Sequence, residues 1–99
     1  YQKGRRFEYR VKKYYEKMGY YVKRSFASKG TEDLLAIRKD FFHGHPEVLH
    51  IQCKNYKVIK TKLNKKESTN LKILANITGG TPLYVYNDKK HKLAIKKIE

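Results

Sequence analysis

Residues 33–54, DLLAIRKDFFHGHPEVLHIQCK, decide the fold, because two neighbouring strands can be read directly from them. Residues 33–38 are apolar on both faces, which is typical of a central strand. Residues 39–47 contain a glycine and a proline and predict a turn of hairpin type. Residues 48–54 alternate between one face with Val48, His50, Gln52 and Lys54 and another with Leu49, Ile51 and Cys53.

The sequence on either side of this pair predicts two helices and three more strands. Apolar spacings of three and four predict helices over 5–18 and 64–78, each followed by glycine. In the first helix the predicted apolar stripe is Phe7, Val11, Tyr14, Tyr15 and Met18, and in the second it is Leu71, Leu74, Ala75 and Thr78. Asn64 is the predicted N-cap of the second helix, with Glu67 three residues later. The further strands are predicted over 20–25, 82–86 and 93–98.

This order of elements predicts an α/β fold, with one mixed β-sheet flanked by helices in the order α-β-β-β-α-β-β. Short links favour an antiparallel meander of the first three strands, and the second helix allows a right-handed crossover to a parallel fourth strand. A length of 99 residues fits a single domain over 1–99. The lone Cys53 excludes an internal disulfide and a cysteine-based zinc site. No membrane span or secretory signal is expected, so we expect a cytoplasmic, nucleoid-associated protein.

Charge is the first indication of function. Lys and Arg number 24 against 9 Asp and Glu, which gives a net charge of +15. Such a field attracts polyanions, and nucleic acid is the favoured partner. A lysine-rich surface of a heat-adapted protein is an alternative. Heat-adapted proteins are usually enriched in glutamate as well as lysine, however, and only 6 Glu accompany 19 Lys here. A membrane-surface binder is the other alternative.

A few polar residues are placed where they can carry chemistry. Asp33 follows a glycine-containing bend, where it can hold a hard cation such as Mg²⁺ or cap its own backbone. Gln52 and Lys54 share a strand face and can flank a metal-bound water, or they can lie on a solvated surface. Glu8 lies at the edge of the apolar stripe and can point toward the sheet or pair with Lys12.

Three segments together resemble the archaeal Holliday junction resolvases of the PD-(D/E)XK nuclease superfamily. They are KGRRFEYRV (3–11), YYVKRSFASKGTEDLLA (20–36) and HIQCKNY (50–56), and the resemblance extends over about residues 3 to 98. The family pattern has a glutamate after a Lys-Gly pair, an Arg-Ser-x-x-Ser segment, an aspartate opening a strand, and acid-x-lysine on the next strand. The resemblance implies a restriction-endonuclease-like fold.

The resemblance also implies a metal-dependent DNA endonuclease that is selective for four-way junctions and uses Mg²⁺, with Mn²⁺ as a substitute. Glu8 and Asp33 are then expected to hold the metal, Gln52 and the carbonyl of Cys53 to complete the pocket, and Lys54 to position the attacking water. The two-fold symmetry of a junction favours a homodimer. The residues expected to contact DNA are Lys3, Arg5, Arg6, Arg24, Ser25, Ser28, Lys29, Tyr56 and Lys57.

Gln52 departs from the acid-x-lysine pattern, because an amide stands where a carboxylate is expected. The phrase IQCKNY is similar to the catalytic strand of Mrr-like restriction endonucleases, where glutamine occupies this place. An Mrr-like nuclease and an inactive, basic junction-binding protein are therefore alternatives. Among the histidines, His50 is either close to the site or a buried strand residue, and His43 and His45 predict an ordinary loop.

Overall fold

A computed structural model describes residues 2–24, 32–39, 44–54, 65–87 and 92–98, with side chains from Arg5 onward in the first range. Seven elements follow one another in the predicted order. They are α1 (Gln2–Lys17), β1 (Tyr21–Arg24), β2 (Leu34–Arg38), β3 (Glu47–Lys54), α2 (Lys65–Thr78), β4 (Thr81–Asn87) and β5 (Leu93–Lys97). Asn64, the loop at 26–32, the turn at 39–47 and the segment 55–62 lie wholly or partly outside the described residues.

The five strands form one mixed sheet in the order β1-β2-β3-β4-β5. The first three strands are an antiparallel meander, and Leu34 of β2 is paired with Ile51 of β3. The connection through α2 makes β4 parallel to β3, with Leu49 opposite Thr81, and β5 returns antiparallel. The predicted fold class, the meander and the parallel fourth strand after α2 are therefore confirmed.

Helices cover both faces of this sheet. Phe7, Val11 and Tyr15 of α1 are buried in one cluster with the inward residues of β1 to β4. On the opposite face, Leu71 and Ala75 of α2 are buried, and so is His50, which contacts the end of α2. Alternate residues of a strand point to opposite faces, so β3 contributes Leu49, Ile51 and Cys53 to the α1 side and the other set to the α2 side.

The predicted helix stripes need correction at their edges. Tyr14 and Met18 are 40% and 41% exposed, so the buried stripe of α1 is narrower than predicted. Met18 follows the last helical residue, where the chain turns through Gly19 at φ +92°, and it therefore leaves the helical face. Thr78 of α2 is exposed as a residue, although its hydroxyl contacts the sheet. None of the helices in the described ranges is long and apolar enough to cross a membrane.

Candidate active site

Asp33 stands in a bend immediately before β2, and β3 fixes it at two points. Its backbone N–H donates to the Ile51 carbonyl at 2.8 Å. Its Oδ2 accepts the backbone N–H of Cys53 at 2.7 Å. The carboxylate therefore bonds to the backbone of the next strand, and not to its own backbone as a turn aspartate would. Two hydrogen bonds to one strand give the side chain a defined position at the end of the β2–β3 pair.

The surroundings of Asp33 disfavour its negative charge. Burial is the largest cause and raises the pKa of Asp33 above its ordinary value. The N–H of Cys53 and the Lys54 ammonium lower it, whereas the nearby carboxylates of Glu8 and Glu67 raise it. The charges of two helices and one strand thus act on the same carboxylate, which is a pattern common at functional sites.

Glu8 of α1 points toward the sheet, as one of its two sequence interpretations proposed. Its Oε1 accepts from Arg24 Nε at 2.9 Å, and its side chain is 21% exposed. Lys12, the alternative partner, instead lies 3.9 Å from Glu16 on the outer surface of the helix. The structure therefore ties the α1 carboxylate to Arg24, the last residue of β1.

Gln52 and Lys54 lie on the α2 side of β3, and both are partly buried. The Lys54 Nζ is 3.1 Å from Oε2 of Glu67 in the first turn of α2. The sequence pattern gives Glu67 only a place three residues after the predicted N-cap Asn64 and does not predict this contact. Glutamate is common in the first turn of a helix, so its presence there does not indicate a partner. The distance between β3 and α2 depends on tertiary packing and cannot be predicted from neighbouring residues.

Cys53 takes part through its backbone and not through its thiol. The side chain is 8% exposed in the α1-side core, and burial, followed by the charges of Asp33 and Glu8, raises the pKa of the thiol well above its usual value. The interpretation of Cys53 as a core residue is confirmed. A metal-facing role for its carbonyl stays a prediction.

His50 is a buried strand residue, as one of its interpretations held. It is 2% exposed, and it contacts the Glu32 carboxylate through Nδ1 and Thr78 Oγ1 through Nε2 at 2.7 Å. The Gly80 N–H donates to the same hydroxyl at 3.2 Å. This network joins the residue before Asp33 to the end of α2.

The donor set can be tested against the expected metal. Within the described residues no three His, Cys, Asp or Glu side chains form a ready-made metal cage. Magnesium does not need such a cage, since one or two carboxylates with water and substrate phosphates usually hold it. Asp33, disfavoured as an anion by burial and by neighbouring carboxylates, is a group that a divalent cation would stabilise. The oxygens present fit Mg²⁺.

The family model for archaeal Holliday junction resolvases (hjc) matches residues 1–99. The chain belongs to this family. A crossover junction endodeoxyribonuclease Hjc of Methanocaldococcus jannaschii is 40% identical over 82 residues, which are 83% of this chain and 56% of that protein. The chain thus spans little more than half the length of this curated relative. The solved structure of Hjc, a Holliday junction resolvase of Archaeoglobus fulgidus, matches with a TM-score of 0.77 at 20% identity, over 97% of this chain and 73% of that one.

Membership of the resolvase family confirms the resemblance that the three sequence segments carried. Some of the residues expected to contact DNA are among the described residues. Arg5 and Arg6 are exposed on α1, and Arg24 is partly exposed and bound to Glu8. Lys3 belongs to α1, but its side chain is outside the described part of the chain. The remaining predicted contacts, Ser25, Ser28, Lys29, Tyr56 and Lys57, also lie outside the described residues.

Proposed function

We propose that this chain is a metal-dependent endodeoxyribonuclease that cuts four-way DNA junctions. The family and the name of the M. jannaschii relative support the activity and the substrate. The observation that carries the proposal is the setting of Asp33, which is pinned to β3 and acted on by Glu8 and Lys54. A partly buried aspartate with a second carboxylate and a lysine nearby suits hydrolysis of a phosphodiester.

The cation of this reaction is Mg²⁺, with Mn²⁺ as a substitute. Asp33 and Glu8 would supply carboxylate oxygens, Gln52 an amide oxygen, and Cys53 its backbone carbonyl. When bound, the cation supplies Lewis acidity and lowers the pKa of a coordinated water. Because Gln52 carries no charge, position 52 itself attracts Mg²⁺ less strongly than the carboxylate of an acid-x-lysine site would.

The protein's own groups have distinct tasks. Lys54 orients the attacking water and offsets the charge that develops on the scissile phosphate. Arg24 holds Glu8 in place at 2.9 Å, and its guanidinium, which is partly exposed, is proposed to contact a DNA phosphate. The hydrogen bond from the Cys53 N–H to Oδ2 of Asp33 holds its carboxylate in place when substrate enters, and the bond from the Asp33 N–H to the Ile51 carbonyl holds its backbone.

The protein binds its DNA substrate mainly through the phosphate backbone of the DNA. A charge of +15 on 99 residues gives a strong field, and Arg5 and Arg6 on α1 are exposed to meet phosphates. Lys3, Lys29 and Lys57 are proposed to extend this contact, and Ser25, Ser28 and Tyr56 are proposed to contact the DNA as well. A homodimer would present two such surfaces to the two-fold symmetric junction.

The deciding experiment compares nicking of a four-way junction, a linear duplex and single strands, with and without Mg²⁺, by wild type and Asp33→Asn. We expect metal-dependent cutting of the junction by wild type only, and junction affinity without metal that is unchanged within about twofold in the variant. Cutting of linear duplex in preference to the junction would favour an Mrr-like nuclease. Tight junction binding with no cutting at any Mg²⁺ or Mn²⁺ concentration would favour an inactive binding protein, the alternative that Gln52 leaves open.

A further inference from the structure

Lys54 has an acidic partner that the family pattern does not supply. Glu67 reaches it from α2, with Lys54 Nζ and Glu67 Oε2 3.1 Å apart. The two side chains are 29% and 28% exposed, so the pair is partly withdrawn from water. An ion pair in that setting is screened less than one on the open surface, and it restricts where the ammonium can lie.

The Glu67 carboxylate lies on the same face of β3 as Gln52, where the family pattern would have a negatively charged side chain. Gln52 and Lys54 share the α2 face of β3, and α2 begins at Lys65, two residues before Glu67. Asp33 senses the negative charge of Glu67 as well as that of Glu8. Glu8 belongs to α1 and Glu67 to α2, so the two carboxylates that act on Asp33 come from helices on opposite faces of the sheet.

We infer that Glu67 is a positioning residue of this active site, which holds the Lys54 ammonium in place and supplies the acidic charge that Gln52 does not. The inference rests on the proposed nuclease function and deepens it. Loss of the Glu67 charge removes one attractive interaction with the cation, so the net charge of the Lys54–Glu67 pair near the cation changes from zero to positive.

A glutamate in the first turn of a helix also interacts favourably with the helix dipole. That role concerns stability alone and makes no demand on Lys54 or on the cation. Glu16 of α1 provides the control, because it is also a helical glutamate that pairs with a lysine, and it lies 3.9 Å from Lys12. Glu67→Gln and Glu16→Gln remove the same charge from similar pairs, only one of which involves Lys54.

The test measures Mg²⁺ and Mn²⁺ binding to the DNA-free protein by calorimetry, together with junction cleavage across a Mg²⁺ series. We expect Glu67→Gln to weaken cation binding by about threefold or more. We expect its maximal cleavage rate to fall about tenfold, because Lys54 is no longer held. Glu16→Gln should match wild type in both measurements. Introducing Gln52→Glu into the Glu67→Gln protein should restore cation binding more than it improves the wild type.

Two results would overturn the inference. One is a Glu67→Gln protein with the cation affinity and cleavage rate of Glu16→Gln. The other is a Gln52→Glu substitution whose effect on cation binding is the same whether residue 67 is Glu or Gln. If wild type binds Mg²⁺ but cuts no junction, the nuclease proposal fails while the calorimetric comparison still decides the role of Glu67. A wild type that binds no divalent cation, either alone or with junction DNA, refutes both.

Discussion

Alanine at position 50 removes the imidazole that joins Glu32 to Thr78. The His50 side chain is 3% exposed and that of Glu32 is 14% exposed, so water cannot readily replace the lost partner. Gly80 is packed against the same ring, since a Cβ there would meet His50 Cδ2 at 3.0 Å. The substitution therefore strands a mostly buried carboxylate and leaves a space between β3 and the end of α2.

The expected cost follows from the contacts removed. The hydrogen bond to the Thr78 hydroxyl contributes about 0.5–1.5 kcal/mol, and one to a charged group about 1.5–3 kcal/mol. An unpaired buried charge adds to this, and breaking such a pair by removing one partner costs about 3–5 kcal/mol in all. We expect His50→Ala to lose about 3–5 kcal/mol of the roughly 5–15 kcal/mol that stabilises a domain of this size.

Urea denaturation followed by circular dichroism measures this loss. His45→Ala is the control, because His45 lies exposed in the turn before β3 and its removal should cost less than about 0.5 kcal/mol. Glu32→Gln should cost less than His50→Ala, since the amide oxygen can still accept from the ring. In the double variant no buried charge is stranded, so the two effects should fall short of additivity by about 1–2 kcal/mol. Strict additivity, or a loss no larger than that of His45→Ala, would refute the reasoning.

Four other outcomes are expected. The raised pKa of Asp33 means that ionising this residue costs folding free energy, so metal-free wild type should lose stability relative to Asp33→Asn as the pH rises above the ordinary aspartate pKa of 3.8. A difference in unfolding free energy between the two proteins that is constant from acid to neutral pH would contradict this. Gln52→Glu should lower the Mg²⁺ concentration for half-maximal cleavage, and an unchanged requirement would mean that residue 52 does not face the cation. Gly80→Ala should cost about 1–3 kcal/mol in urea titration, because its Cβ would approach the Val48 carbonyl to 2.8 Å, whereas Asn76→Ala on the exposed side of α2 should be nearly neutral. Junction affinity should fall with log salt at a slope of about −5 to −9 if a dimer makes about 6–10 phosphate contacts, and a slope near zero would exclude backbone recognition.

The sequence by itself determined the elements, their order and their inward faces. Hydrophobic periodicity is a local property, so the stripe of Phe7, Val11 and Tyr15 and the alternation along β3 could be predicted from neighbouring residues alone. The glycine after each helix marked its end for the same reason. The crossover rule then allowed the parallel pairing of β3 with β4, which the structure has. The placing of Asp33 before β2, and of Gln52 and Lys54 on one face, followed from these local patterns as well.

Only the tertiary structure decided which of these side chains meet. Glu8 and Arg24 are 16 positions apart, Glu32 and His50 are 18 apart, and His50 and Thr78 are 28 apart. A charged residue can pair with many partners of opposite sign, and sequence patterns do not choose among them, which is why Glu8 with Lys12 remained an alternative until the sheet placed Arg24 beside it. The Lys54–Glu67 pair has the same origin, because the end of β3 meets the start of α2 only once α2 is packed on the sheet. Side-chain chemistry is written in the sequence, but the partner of each charge is set by distances that exist only in the folded chain.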